Sequence, residues 1–104
     1  MKRNKDKHLA TVAIEGNTFS IRASVHALER MSERKIDEYV VTGNVLALGK
    51  KLVELKEANT EVIIIDEETN SSVVIGFKKN TIKVITVIDK SNVFVKTGTH
   101  IETL

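Results

Sequence analysis

Three basic residues at regular spacing are the part of this sequence best suited to chemistry. His26, Arg30 and Arg34 stand four residues apart, and on an α-helix such residues lie on the same side. An imidazole exchanges protons near neutral pH, and a guanidinium can bind two oxygens of one phosphate. We therefore expect this stripe to bind a phosphate group and to move a proton.

Cleavage of RNA without a metal ion is the reaction that fits these groups. The ribose 2′-hydroxyl attacks the neighbouring phosphate, which requires an acid or base and cations that stabilise the charge on the phosphorane. We predict catalytic roles for His26, Arg30 and Thr86. The Thr86 hydroxyl would share a strand face with Val84 and Ile88. Substrate-binding roles are predicted for Arg34 and Lys83.

The same residues also have structural interpretations. His26 could cap or pack the first turn of its helix, and Thr86 could serve only as a β-former. Arg34 borders the apolar side of the helix, so it could bury its stem and pair with a carboxylate such as Asp66 or Glu38. If Thr86 lies on the sheet face away from His26, the predicted site does not exist.

The composition excludes several classes of protein. The chain has 104 residues, which suits a single domain, and a net charge of only +2. It contains no cysteine, no glycine-rich phosphate loop and three widely spaced histidines, so we expect no disulfide, no cofactor and no metal site. It has no run of about 18 apolar residues. We expect a cytoplasmic protein without a membrane partner.

The N-terminal half is predicted to form a hairpin and then helices. Residues 1–8 read as a flexible basic tail, and residues 9–22 as a hairpin in which Gly16 and Asn17 are able to adopt positive φ. Residues 24–58 form the helical part. Ser24 caps a helix over about 25–35, and Asp37 caps a second over about 38–58. Gly43 and Gly49 either allow close packing of that second helix or break it into two.

The C-terminal half is rich in β-branched residues and short polar connections, which indicates a β-meander over residues 60–97. The predicted strands are residues 61–66, 71–77, 82–89 and 93–97. Residues 62–65 are apolar on both faces, which indicates a central strand covered twice. Residues 98–104 form a tail or an edge strand. The fold class is α+β, with two helices packed on a mostly antiparallel sheet in the order β-β-α-α-β-β-β-β.

The segment from Ser24 to Ile36 resembles a widespread bacterial and phage domain of unknown function. Its members carry a His-Ala-x-x-Arg-Met-x-x-Arg-x-Ile helix, then a second helix and a β-meander, and look related to RelE-like toxins and the barnase-, colicin- and RelE-like ribonucleases. The resemblance covers residues 20–97. It implies a RelE-like fold and points to His26, Arg30, Arg34 and Thr86. The chain departs from typical RelE-like toxins in its extra N-terminal hairpin and in C-terminal strands without an arginine- and tyrosine-rich set.

The expected function is that of a RelE-like, metal-independent endoribonuclease, with RNA or a protein such as an antitoxin or host target as its partner. The alternative is a non-catalytic, phage-encoded binding module that inhibits or regulates a host protein or RNA. A third interpretation is a self-assembling protein, in which Val93, Phe94 and Val95 on a terminal strand pair across a sheet edge to form a homodimer.

Overall fold

A computed structural model describes residues 6–104 of the chain. Most of the tail expected over residues 1–8 lies outside the described residues, but the first strand already begins at Lys7. The elements follow in the order β1 (Lys7–Ile14), β2 (Asn17–Ala23), α1 (Val25–Arg34), α2 (Glu38–Leu46), α3 (Lys51–Ala58), β3 (Val62–Asp66), β4 (Ser71–Lys78), β5 (Thr81–Ile88) and β6 (His100–Thr103).

The strands form one mixed sheet in the order β1-β2-β5-β4-β3-β6. Neighbours are antiparallel except for β2 with β5 and β3 with β6, which are parallel. Parallel strands require a long crossover connection. Between β2 and β5 that connection contains the three helices and strands β3 and β4. The α+β class is confirmed, but the described residues contain three helices where two were expected.

One hydrophobic core joins the three helices to one face of the sheet. The buried side chains come from all three helices and from alternate positions of the strands. The helices contribute Ala27, Met31, Val41, Val45, Leu52 and Leu55 to this core, and the turn between α2 and α3 contributes Leu48. The sheet therefore has a helix-covered face and an opposite face, here called the open face.

The first hairpin closes with a two-residue turn. Ile14 pairs with Asn17, and the residues between them, Glu15 and Gly16, have φ angles of +50° and +81°. Two successive positive φ angles are typical of a type I′ turn, which matches the twist of the strands. Of the two residues expected to be able to adopt positive φ, Gly16 does so and Asn17 does not. The Asn17 side-chain amide instead donates to the carbonyl of Glu15 at 3.3 Å.

The second helical segment is broken into two helices. Helix α2 ends at Leu46 and α3 begins at Lys51. Gly49 lies between them with a φ of +54°, which glycine adopts more readily than other residues. Of the two alternatives for residues 38–58, the break is confirmed and the continuous helix is wrong.

The C-terminal segment differs most from the expectation. Residues 93–97 form no strand, whereas His100–Thr103 forms β6, an edge strand parallel to β3. The edge-strand alternative for residues 98–104 is therefore confirmed. Strand β3 lies between β4 and β6 rather than at the centre of the sheet. Ile63, on its open-face side, is only 3% exposed, so this strand is covered on both faces.

Candidate functional site

Helix α1 is fixed to the edge of β5 by its N-cap residue, Ser24. The Ser24 hydroxyl accepts a hydrogen bond from the Ala27 N–H at 3.0 Å and donates one to the Ile85 carbonyl at 3.0 Å. The Ser24 N–H donates to the Val84 carbonyl at 3.0 Å. Strand β2 pairs with β5 only as far as Val84. Beyond that residue, α1 lies where a neighbouring strand would otherwise pair.

The three basic residues of α1 have three different surroundings. His26 is exposed to solvent. The Arg30 guanidinium donates to the Glu33 carboxylate at 2.8 Å. The Arg34 guanidinium donates to the Val87 carbonyl of β5 at 2.9 Å and lies 3.6 Å from the Asp89 carboxylate. Arg34 therefore holds the end of α1 against β5. Arg34 thus pairs with a carboxylate, as its structural interpretation expected, but the partner is Asp89 rather than Asp66 or Glu38.

Thr86 lies on the open face of the sheet, away from α1. Val74 of β4 pairs with Thr86, and the next residue, Ile75, pairs with Val84. Ile85 is therefore an extra residue in β5, a β-bulge, and a bulge shifts the alternation of side chains along its strand. Val84 is buried in the core beneath the helices, whereas Thr86 lines a groove on the other face. The predicted shared face of Thr86 and Val84 is wrong.

Lys83 also lies away from the α1 stripe. It pairs with Gly76 and Arg22 across the open face, and its ammonium group lies 3.0 Å from the Asp6 carboxylate. Arg22 donates to the carbonyl of the same Asp6 at 3.1 Å. The structure therefore does not bring Lys83 or Thr86 together with His26 and Arg30, and the predicted catalytic site does not assemble.

Among residues 6–104, no three side chains of His, Asp or Glu lie close enough together to hold a metal ion. None of the helices in this part of the chain is long and apolar enough to cross a membrane.

A groove of about 390 Å³ lies on the open face. We call it the open-face groove. The chain segment 94–99, which crosses this face, forms one side of it. Its lining residues are Glu61, Ile63, Val74, Ile85, Thr86, Ile88, Phe94, Val95, Lys96 and Thr99. Ile63, Val74 and Thr86 are aligned by register across three adjacent strands, so the floor of the groove belongs to the rigid sheet.

Phe94 is the most exposed large apolar residue among those described, at 96%. The segment that carries it is held at both ends. At the start, the Ser72 hydroxyl donates to the Lys90 carbonyl at 2.7 Å, and the Asn70 side chain accepts from the Ser91 N–H at 2.9 Å. At the end, the Thr60 hydroxyl donates to the Gly98 carbonyl at 3.1 Å. Phe94 is thus presented to solvent on an anchored segment.

Sequence reasoning missed this groove because it assigned residues 93–97 to a strand. Two features of the sequence argue against a strand there. Val93, Phe94 and Val95 are consecutive apolar residues, without the polar alternation of a half-buried strand, and Gly98 follows closely. No signal for the bulge at Ile85 is visible in the sequence, since the run from Val84 to Ile88 reads as a regular strand.

In comparisons with known proteins, no family model, no curated protein and no solved structure matches this chain.

Proposed function

We propose that this chain is a non-catalytic binding module whose open-face groove accepts an apolar side chain of a protein partner. The observation that carries the proposal is Phe94, an aromatic side chain that is 96% exposed on an anchored segment beside an apolar groove. Exposed apolar surface beside a concave site is characteristic of interaction surfaces. Aromatic residues are also enriched among those that dominate binding energy.

The residues that line the groove favour binding of an apolar group over catalysis. Its floor contains branched aliphatic side chains from three strands, including Ile63, Val74 and Ile85. Its polar groups are the Thr86 and Thr99 hydroxyls, with the charges of Glu61 and Lys96. Neither a histidine nor a pair of carboxylates lines it, so its ionisable groups are limited to the single carboxylate of Glu61 and the single ammonium group of Lys96.

The charges in the groove favour a protein over RNA. Affinity for a nucleic acid depends on cations that neutralise phosphates, but the one lysine in the lining is balanced by one glutamate. Binding of single strands also relies on successive aromatic platforms, and Phe94 is the only aromatic residue in this lining. A protein segment with an apolar anchor residue fits both facts.

Selection from a displayed peptide library tests this proposal. The full chain is immobilised, binders are enriched, and the dissociation constant of the best peptide is measured for the wild type and for Phe94→Ser. We expect enriched peptides to carry a large apolar residue and Phe94→Ser to weaken binding by roughly tenfold or more, a difference of about 1.4 kcal/mol.

The matched control is Leu46→Ser, which removes an exposed apolar side chain at the end of α2, outside the groove lining. It should leave peptide affinity unchanged. Equal losses in the two variants, or enrichment of peptides that bind the wild type and Phe94→Ser alike, would contradict the proposal. Preferential retention of single-stranded RNA, with dependence on Phe94, would identify RNA as the partner instead.

A further inference from the structure

The two outer strands of the sheet are protected differently. Strand β6 has four residues, and its Glu102 carboxylate contacts both His100 and Lys51, at 2.6 and 3.0 Å. Strand β1 has eight residues, with one irregularity of register between His8 and Ala10, and residues 10–14 beyond it pair regularly with β2 and contain no charge, glycine or proline. Short length and charge protect an edge against pairing with another strand. Among the described strands, β6 has both features, whereas most of β1 has neither.

The geometry of the hairpin identifies which groups of β1 face outward. In a hairpin closed by a two-residue turn, the pair beside the turn is hydrogen-bonded, and such pairs then alternate along the ladder. Ile14 with Asn17 is that first pair, and Val12 with Phe19 is the next hydrogen-bonded one. The backbone N–H and C=O groups of Thr11 and Ala13 therefore point away from β2, toward the outer edge.

We propose that β1 pairs antiparallel with β1 of a second copy of this chain, about a twofold axis through Val12. In this register Thr11 lies opposite Ala13 of the second copy, so the outward backbone groups of both strands bond one another. Val12 faces its own counterpart, and Ala10 faces Ile14. The central residues carry no charge, so the axis brings no like charges together.

The surface beside β1 is also suited to contact with a second copy of the chain. Beside β1, the first turn of α2 forms a groove of about 460 Å³, lined by Leu9, Ala10, Asp37, Glu38, Tyr39 and Thr42. Tyr39 is 86% exposed. Because Ala10 lies opposite Ile14 of the second copy, an apolar side chain from that copy reaches the border of this groove. Dimerisation would then cover Tyr39 as well as the strand edge.

A second copy of the chain is a better pairing partner for the β1 edge than a strand of another protein. Within residues 6–104 the outer edge of β1 pairs with no other strand. Pairing about a twofold axis covers this edge in both copies in one closed step, whereas an added foreign strand leaves its own outer edge unpaired. Pairing of β1 with β6 would extend without closure, and β6 offers only four residues. The β1 edge lies at the opposite end of the sheet from β3 and β6, so this inference is independent of the open-face groove.

Sedimentation equilibrium of the full chain and of two lysine variants tests the dimer. Ala13 and Thr18 are exposed and directly paired, but Thr18 lies on β2, one strand in from the edge. We expect the wild type to dimerise with increasing concentration. Ala13→Lys should raise the dimer dissociation constant by roughly tenfold or more, and Thr18→Lys should leave it near the wild-type value. A wild type that stays monomeric, or equal effects of the two substitutions, would overturn the proposal.

Disulfide trapping tests the register, since the chain has no cysteine of its own. In this register Val12 faces Val12 in a non-hydrogen-bonded pair, where the Cβ atoms come close enough for a disulfide. Val12→Cys should therefore form covalent dimers with oxidised glutathione in preference to Thr18→Cys. Trapping at equal rates in the two variants would reject the β1 interface. Circular dichroism spectra that match the wild type show that both variants are folded.

Discussion

At the scale of single residues, the surroundings of each side chain decide what it can do. Arg30 and Arg34 have the same side chain on the same helix, yet their guanidinium groups have different partners. Arg30 bonds an exposed glutamate three residues along α1, whereas Arg34 bonds the backbone of β5. Only the second contact joins two elements of the fold. Arg34 is therefore expected to matter for stability and Arg30 much less.

Replacing each arginine by alanine tests this difference. Arg34→Ala removes a charged hydrogen bond to a carbonyl that α1 covers, so the free energy of unfolding should fall by about 1–2 kcal/mol. Arg30→Ala removes a helix surface pair and should cost about 0.5 kcal/mol or less. Urea denaturation of the two variants provides the comparison. Equal losses would show that Arg34 does not anchor the helix.

At the scale of elements, one glycine determines how many helices the second segment forms. Gly43 and Gly49 are both predicted breakers, but Gly43 lies inside α2 and Gly49 has a φ of +54°. A Cβ added at either position meets no atom within 4 Å. The two positions therefore differ in backbone conformation rather than in the space available.

Alanine at these glycines should have opposite effects on stability. Gly43→Ala should raise the free energy of unfolding by about 0.5–1 kcal/mol, because alanine favours the helix and restricts the unfolded chain. Gly49→Ala should lower it by about 1 kcal/mol, since a Cβ is strained at positive φ. Thermal or urea unfolding measures both. Stabilisation by Gly49→Ala would mean that the break between α2 and α3 does not require positive φ.

The edge strand β6 makes stability depend on pH through Glu102. Hydrogen bonds from His100 and then Lys51 hold the pKa of the Glu102 carboxyl below its ordinary value of 4.5. The folded state thus binds this proton less readily than the unfolded state does. The resulting stabilisation is present above pH 4.5 and is lost as the pH falls through the lowered pKa of the folded state.

Glu102→Gln should therefore be less stable than the wild type near neutral pH, and the difference should shrink as the pH falls below 4.5. Urea midpoints measured across the acidic range provide the test. Glu57→Gln, at an exposed position on α3, is the control and should match the wild type at neutral pH. A constant difference between Glu102→Gln and the wild type at every pH would exclude the carboxylate as its source.

At the scale of the whole molecule, the sheet separates the groups that RNA cleavage would need. His26 and Arg30 belong to α1, whereas Thr86 and Lys83 lie on the open face. Acid–base catalysis requires the acting group within hydrogen-bond reach of the reacting atoms. We expect RNA incubated with the protein and EDTA to be cleaved no faster by the wild type than by His26→Ala. Cleavage to 2′,3′-cyclic phosphate ends that depends on His26 would support the endoribonuclease hypothesis and the RelE-like relation.

Features that depend on neighbouring residues along the chain are visible in the amino-acid sequence alone. The helix cap at Ser24, the first hairpin and strands β3, β4 and β5 follow from capping residues, turn residues and side-chain periodicity. These signals are local, so they are visible in the sequence. They were sufficient for the α+β class and for the approximate bounds of these elements.

Which residues these elements bring together depends instead on contacts between distant segments. The bulge at Ile85 depends on how β5 pairs with β4, and one extra residue moves Thr86 to the open face. The parallel pairing of β6 with β3 leaves residues 93–99 to cross that face with Phe94 exposed. Hydrogen bonds between distant segments settle both outcomes. Those bonds leave no periodic signal in the sequence. The stripe on α1 could therefore be predicted from helix periodicity, whereas the open-face groove could not.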